Sequence, residues 1–353
     1  FWDNSQKNVG MMMGRKKKIN RMDDCQFLLC TQTNYTLTYC AEHKNGVSHD
    51  AINRYLAKDR LTPALVWEHV KNDRDQGEEG YLIFDDVVLD KRDSRSIEIT
   101  KWQYSGNEGK VINGIGVVTC VYDQPRVKKF WAIDYRIYSP EDDGKSKLQH
   151  VYDMLKKAIF SKNLTFKTVL MDTWYATDFL MKEIDRLGKI FYCAIKSNRL
   201  ASPVDQRYEY KQVKELEWSK EAREKGIRIH FKRWPQFKHL QLFRIEVSSN
   251  RTDDVVTNDL AQIDSNAAQK EYGIRFMIEQ LHRELKQVTG IDQCECRKGR
   301  IQRNHIASAF LVWIKLKQIA YQTSQTVYQL KEGLLKSYLI NQLKNPYIPM
   351  NFV

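Results

Sequence analysis

Carboxylates set in apolar surroundings are the residues of this sequence best placed to do chemistry. Asp85-Asp86 interrupts the apolar run Tyr81–Leu89, and Asp172 closes the apolar run Thr168–Met171. A charge on a buried strand is expensive unless a partner or a metal ion meets it. A third acidic position, Glu279, lies in a helical pattern with two stripes. Ile274, Ile278, Leu281, Leu285 and Val288 recur at spacings of four and three, as on a helix face that packs on a core. Beside them Tyr272, Arg275, Glu279, His282 and Lys286 recur in the same way. Alone, that polar stripe reads as a solvated face with an Arg275–Glu279 pair at i,i+4. Together with the two strand positions it reads differently. Three carboxylates on two strands and a helix suit hard divalent cations, Mg2+ or Mn2+, which take oxygen ligands and keep room for phosphate. Two such ions can activate a water or a 3′-hydroxyl and stabilise the leaving oxygen of a phosphoryl transfer.

The elements that must position these residues follow from period and turn chemistry. Tyr81–Leu89, Val111–Tyr122 and Phe130–Tyr138 read as three strands, the last two joined by a turn at Asp123-Gln124-Pro125. Short connections between them imply an antiparallel meander. Leu148, Val151, Tyr152, Leu155 and Ile159 then recur at helical spacing. Thr168–Met171 is a fourth strand, followed by a helix that Thr177 caps and Gly188 stops, and Ile190–Ile195 is a fifth. That order is the order of an RNase H-like α/β domain, in which the first and fourth strands are central neighbours. The expected fold is therefore a mixed five-stranded sheet with flanking helices, a β-rich insertion, and helical N- and C-terminal regions.

The boundaries divide the chain into a flexible tail at 1–20, a helical DNA-binding region at 21–75, and a first part of the core at 80–200. The insertion follows at 201–265, then the second part of the core with the Glu279 helix at 266–320, and a helical region at 321–353. Ala267–Val288 is read as one long helix and Ile301–Leu343 as helical up to Pro346 and Pro349. In the N-terminal region Asn45-Gly46 marks a turn, Ser48 caps a helix with Ile52, Tyr55 and Leu56 on one face, and Thr62-Pro63 opens another. A helix-turn-helix DNA reader and a plain helical bundle fit that pattern equally.

Composition narrows the partners. Lys and Arg number 57 against 44 Asp and Glu, a net charge of +13, which favours an anionic partner, nucleic acid or an acidic membrane. With 42% apolar residues, a disordered or fibrous chain is excluded. No apolar run approaches the ~20 residues of a membrane span, and no signal peptide is read. Seven scattered cysteines without a CxxC pair indicate a reducing cytosol, and Cys294-x-Cys296 has the wrong spacing for zinc. Arg297, Lys298, Arg300 and Arg303, with Lys196 and Arg199, would line a DNA channel or form a solvated basic turn.

Tyr272, Arg275, Glu279 and Lys286 match, at every spacing, the Tyr-(2)-Arg-(3)-Glu-(6)-Lys signature of one subgroup of DDE-type insertion-sequence transposases of the RNase H-like superfamily. Phe84-Asp85-Asp86 and Val169-Leu170-Met171-Asp172-Thr173 resemble the segments that carry that family's two aspartates. The resemblance covers roughly residues 80–320. It implies that Asp86, Asp172 and Glu279 bind two Mg2+ or Mn2+ ions, with Asp86 chosen over Asp85 by resemblance. It implies that Tyr272, Arg275 and Lys286 contact phosphates at the transposon ends. Double-stranded DNA, both element ends and target, would be the substrate, handled by a homodimer in the bacterial cytoplasm at the nucleoid. Val87 stands where the family usually has Thr. Hairpin-forming relatives place a Trp on the strand before the signature helix, but Thr252–Thr257 holds no aromatic. Trp234 could supply stacking instead, or be an ordinary partly buried Trp. Two other functions fit the same residues: an RNase H-like nuclease without strand transfer, and a catalytically silent DNA-binding relic.

Overall fold

A computed structural model describes residues 19–44, 46–75, 79–94, 96–106, 108–206, 209–248 and 251–345. Residues 1–18 of the expected tail, Asn45 of the expected turn, and Pro346 and Pro349 lie outside them.

The core begins with β1 (Gly80–Asp90), a short β2 (Lys101–Ser105), a long β3 (Lys110–Gln124) and β4 (Lys129–Tyr138). After the short α5 (Pro140–Asp143) come α6 (Lys147–Phe160), β5 (Phe166–Met171), α7 (Asp178–Arg186) and β6 (Ile190–Ala194). β3 pairs antiparallel with both β1 and β4, while β1 pairs parallel with β5 and β5 parallel with β6. The order β4-β3-β1-β5-β6 is that of an RNase H-like sheet, with β1 and β5 adjacent at its centre. The apolar runs explain the placement, since Leu82–Phe84 and Val169–Met171 are fully buried beneath helices on both faces. Gly188 ends the turn after α7 at φ +70°, a conformation glycine adopts without the strain a side chain would add.

Three expectations change. The β-rich insertion does not form a sheet of its own. Its strands β7 (Leu200–Pro203), β8 (Lys211–Gln212), β9 (Ile227–Phe231), β10 (Leu240–Ser248) and β11 (Arg251–Thr257) continue the core sheet, because β11 pairs antiparallel with β6. A short α8 (Lys220–Lys225) lies among them. The helix expected at Ala267–Val288 is two helices, α9 (Ser265–Gly273) and α10 (Phe276–Thr289), broken at Ile274–Arg275. Likewise the C-terminal helix divides into α11 (Gly299–Thr323) and α12 (Val327–Lys344), the break falling at Ser324 with φ +55°.

The N-terminal helices α1 (Arg21–Cys30), α2 (Leu37–Glu42), α3 (His49–Lys58) and α4 (Ala64–Val70) do not stand apart either. They pack on α11. Asn304 of α11 accepts from the Leu61 backbone N–H at 3.0 Å and donates to the carbonyls of Leu56 and Asp59 at 2.6 and 2.8 Å. Leu28 of α1 is buried with Val288, Val312 and Leu316. Ser48 caps α3 as expected, its hydroxyl accepting from Ala51 N–H.

Candidate active site

The last paired residues of the parallel β1–β5 ladder are Phe84 and Met171. Asp85 and Asp86 follow Phe84 within β1, which runs on beside β3, and Asp172 follows the last residue of β5, so all three lie at one level, at the C-terminal end of β5. Alternation along β1 gives the two adjacent aspartates different surroundings.

Asp85 lies opposite Thr119 of β3, on the side covered by α10. The Thr119 hydroxyl donates to the Asp85 carbonyl at 3.2 Å, leaving its oxygen to accept from His282 Nε2 of α10 at 2.7 Å. Burial pulls the His282 imidazole down to about 4, so it stays neutral beside the acids. The Asp85 carboxylate accepts from the Asp86 N–H at 2.8 Å and stands 4.0 Å from the Arg275 guanidinium.

Asp86 is held on both oxygens. Tyr175 donates its hydroxyl to Oδ1 and Lys147 its ammonium to Oδ2, each at 2.6 Å. Lys147 is the first residue of α6 and is fixed there by a capping box, in which Ser146 and Gln149 bond each other's backbone N–H. Its ammonium also lies 5.4 Å from the ring centre of Tyr138 and 5.7 Å from that of Trp174.

Asp172 folds back on its own loop. Oδ1 accepts from the N–H groups of Trp174 at 3.0 Å and Tyr175 at 3.2 Å, and this turn directs the buried Tyr175 into Asp86. Burial raises the carboxyls of both Asp85 and Asp172 above the ordinary range. The charges of Asp172 and Asp86 add to the rise at Asp85, and Asp86 adds to it at Asp172; Arg275 opposes it at both.

Glu279 joins the group through Arg275, which donates to its Oε1 at 2.6 Å. The guanidinium lies 5.5 Å from the ring centre of Tyr272, which is buried. Signature residues Tyr272 and Arg275 therefore brace Glu279 across the break between α9 and α10. Arg275 is a half-buried bridge among three acids, and the side chain of Glu279 is 38% exposed. Among the described residues no three acidic or metal-ligating side chains close on a common point at ion-holding distance. Arg275 and Lys147 neutralise the cluster instead.

The other expected residues lie around it or away from it. Lys286, further along α10, is half-exposed and makes no ion pair among the described residues. Arg297, Lys298 and Arg300 are exposed at the start of α11, and Glu98 ties that segment through the Arg297 carbonyl and the Gly299 N–H. Trp234 corrects the stacking expectation. It is buried, with Nε1 donating to Asp178 at 3.1 Å and its ring packed near Phe191 and Phe231, so no face is open to a base.

Lys147, Trp174 and Tyr175 escaped the sequence reading. Trp174-Tyr175, an aromatic pair just past a strand-ending aspartate, was a usable signal. Nothing local marks Lys147, whose partner lies on another element.

A family model described as DDE superfamily endonuclease matches residues 25–223, more than half of the chain and short of α9 and α10. A solved structure of a piggyBac transposase synaptic complex with hairpin DNA aligns at 12% identity over 97% of this chain and 77% of that one, with a TM-score of 0.48. At that score the two share too little geometry for one to stand for the other. No curated protein matches the chain. No helix among the described residues is long and apolar enough to cross a membrane.

Proposed function

The chain belongs to the DDE superfamily endonucleases, and from that premise we propose that it is a transposase that nicks DNA at the ends of its own element and joins them to target DNA. The observation that carries the reading is that Asp85 and Asp86 of β1 and Asp172 after β5 lie at one level where two central parallel strands cease to pair, with Glu279 tied to them by Arg275. The donor set fits a hard cation. All donors are carboxylate oxygens, and burial and like charge raise the Asp85 and Asp172 carboxyls, a rise that a bound cation would oppose as Arg275 does.

Asp86, Asp172 and Glu279 are the residues that would hold Mg2+ or Mn2+. Two bound ions would supply an activated attacking oxygen and charge for the leaving one. The chain's own groups do the rest. Tyr175 and Lys147 orient Asp86, and Arg275 orients Glu279. Lys286, with Arg297, Lys298 and Arg300 further off, offers cations to the DNA backbone. Tyr272 acts through Arg275 rather than on phosphate. Double-stranded DNA is the substrate and a homodimer assembled on it the working form, in the bacterial nucleoid.

Asp172→Asn should abolish nicking in Mg2+ while gel-shift affinity for DNA changes little, and Asp86→Asn should do the same. Full nicking by Asp172→Asn would place the chemistry elsewhere. A strand-transfer assay with the element's ends separates a transposase from a nuclease that only cuts. A wild-type protein that binds DNA and never nicks it would be the silent relic.

A further inference from the structure

The two groups that hold Asp86 differ in how firmly they are themselves held. Tyr175 donates to Oδ1 from a fully buried ring, and its backbone N–H is bound to Asp172 at 3.2 Å. It cannot withdraw without unmaking that loop. Lys147 donates to Oδ2 at 2.6 Å, and the two paired side chains are only 10% and 15% exposed. Lys147 can withdraw, because a flexible four-carbon stem joins its ammonium to the first turn of α6. The ring centres of Tyr138 and Trp174 stand 5.4 and 5.7 Å from the ammonium, and aromatic faces attract a cation that leaves a carboxylate. Arg275, the other cation among the acids, is bound to Glu279 and faces Asp85. Oδ2 of Asp86 is thus an oxygen whose partner is both charged and replaceable.

We propose that Lys147 is a positioning residue that competes with the divalent cation for Asp86: it gives up Oδ2 to Mg2+ or Mn2+ and turns its ammonium toward Tyr138 and Trp174. The inference rests on the metal-dependent reading of the acidic site. An ammonium and a divalent ion cannot share one nearly buried oxygen, since repulsion between them is poorly screened where little water enters. Binding at Asp86 therefore breaks a charge-assisted hydrogen bond, and the affinity of the site for free metal is lowered by what that bond is worth. The same contact keeps Asp86 aimed and neutralised until the exchange takes place.

The test uses the full chain without DNA, with Mn2+ as the probe. Electron paramagnetic resonance reads free Mn2+, and mass spectrometry after acetic anhydride treatment reads the acetylation of each lysine. Wild type should bind Mn2+, and the bound ion should speed acetylation of Lys147 severalfold while Lys162, paired with Asp134, reacts as before. Lys147→Met keeps most of the stem and removes the charge. It should bind Mn2+ about 10- to 150-fold more tightly than wild type, the span of one hydrogen bond to a charged group. Lys147→Arg, which keeps the charge, should bind more weakly than Lys147→Met. A merely structural role for Lys147 would make neither variant bind better than wild type. Equal or weaker Mn2+ binding by folded Lys147→Met, or acetylation of wild-type Lys147 that Mn2+ leaves unchanged, would overturn the exchange while leaving the acidic site standing. Failure of wild type to bind Mn2+ would overturn both readings.

Discussion

Replacing Arg275 by alanine should destabilise the protein in a way that depends on pH. Arg275 sits 2.6 Å from Glu279 and 4.0 Å from Asp85, with a side chain only 14% exposed. The Glu279 contact is an i,i+4 pair to a carboxylate more than a third exposed, so it contributes only about 0.3–0.5 kcal/mol. The larger loss falls on Asp85 and Asp172, whose carboxyls burial already raises and which Arg275 partly offsets. Removing one partner of a buried pair costs roughly 3–5 kcal/mol when the contact is close. Here the contact is looser, and a stranded carboxylate can take up a proton instead. Both considerations bring the expected loss to about 2 kcal/mol at pH 7, roughly 3 °C in melting temperature. The pH dependence follows from proton counting. Without Arg275 the folded-state pKa values rise further, so above the unfolded value near ~3.9 the folded variant binds more protons than its unfolded chain, and its stability falls as pH rises. The gap to wild type should be widest at pH 7–8 and shrink as pH drops toward about 5. Thermal melts of both proteins from pH 5 to 8 measure it. A gap that stays constant, or widens on acidification, would refute the claim that Arg275 serves as counter-ion to the buried aspartates.

The remaining predictions concern DNA and the N-terminal helices. Lys286→Ala should weaken DNA binding and lower the slope of log affinity against log salt by about one, read by titration at several salt concentrations; an unchanged slope removes Lys286 from the phosphate contacts. Arg275→Ala should leave that slope where it is, because the structure commits its guanidinium to Glu279 and Asp85. Deleting residues 21–75 should expose Val288, Val312 and Leu316 where Leu28 now covers them, giving a lower melting temperature and aggregation. A truncated chain that melts like the full one would show those helices to be a detachable module.

The parts of this molecule legible in the sequence are those set by neighbouring residues. β1 and β5 could be read because an apolar run interrupted or closed by aspartate is conspicuous, and α7 because Thr177 and Gly188 mark its ends. The break between α9 and α10 was hidden because both stripes run through it in register, with Gly273 the sole local hint. Continuation of the sheet past β6 was hidden for a different reason. Which edge β11 pairs with is a choice between distant segments, and an alternating strand carries no address. The same limit applies within the site. The sequence singles out the acids and not the groups that meet them: Lys147 reaches Asp86 across 61 positions and Tyr175 reaches it across 89. Trp234 shows how a partner decides a role, since Asp178 from α7 draws its indole inward while Trp174, lacking such an acceptor, stays half in solvent. Sequence spacing singles out the acidic residues proposed for phosphoryl transfer. The cations that restrain those residues, and the aromatic surface beside them, come from elements brought together only by the fold. For that reason the informative variants are those at Arg275 and Lys147, where one substitution changes how the acids are held and leaves the acids themselves in place.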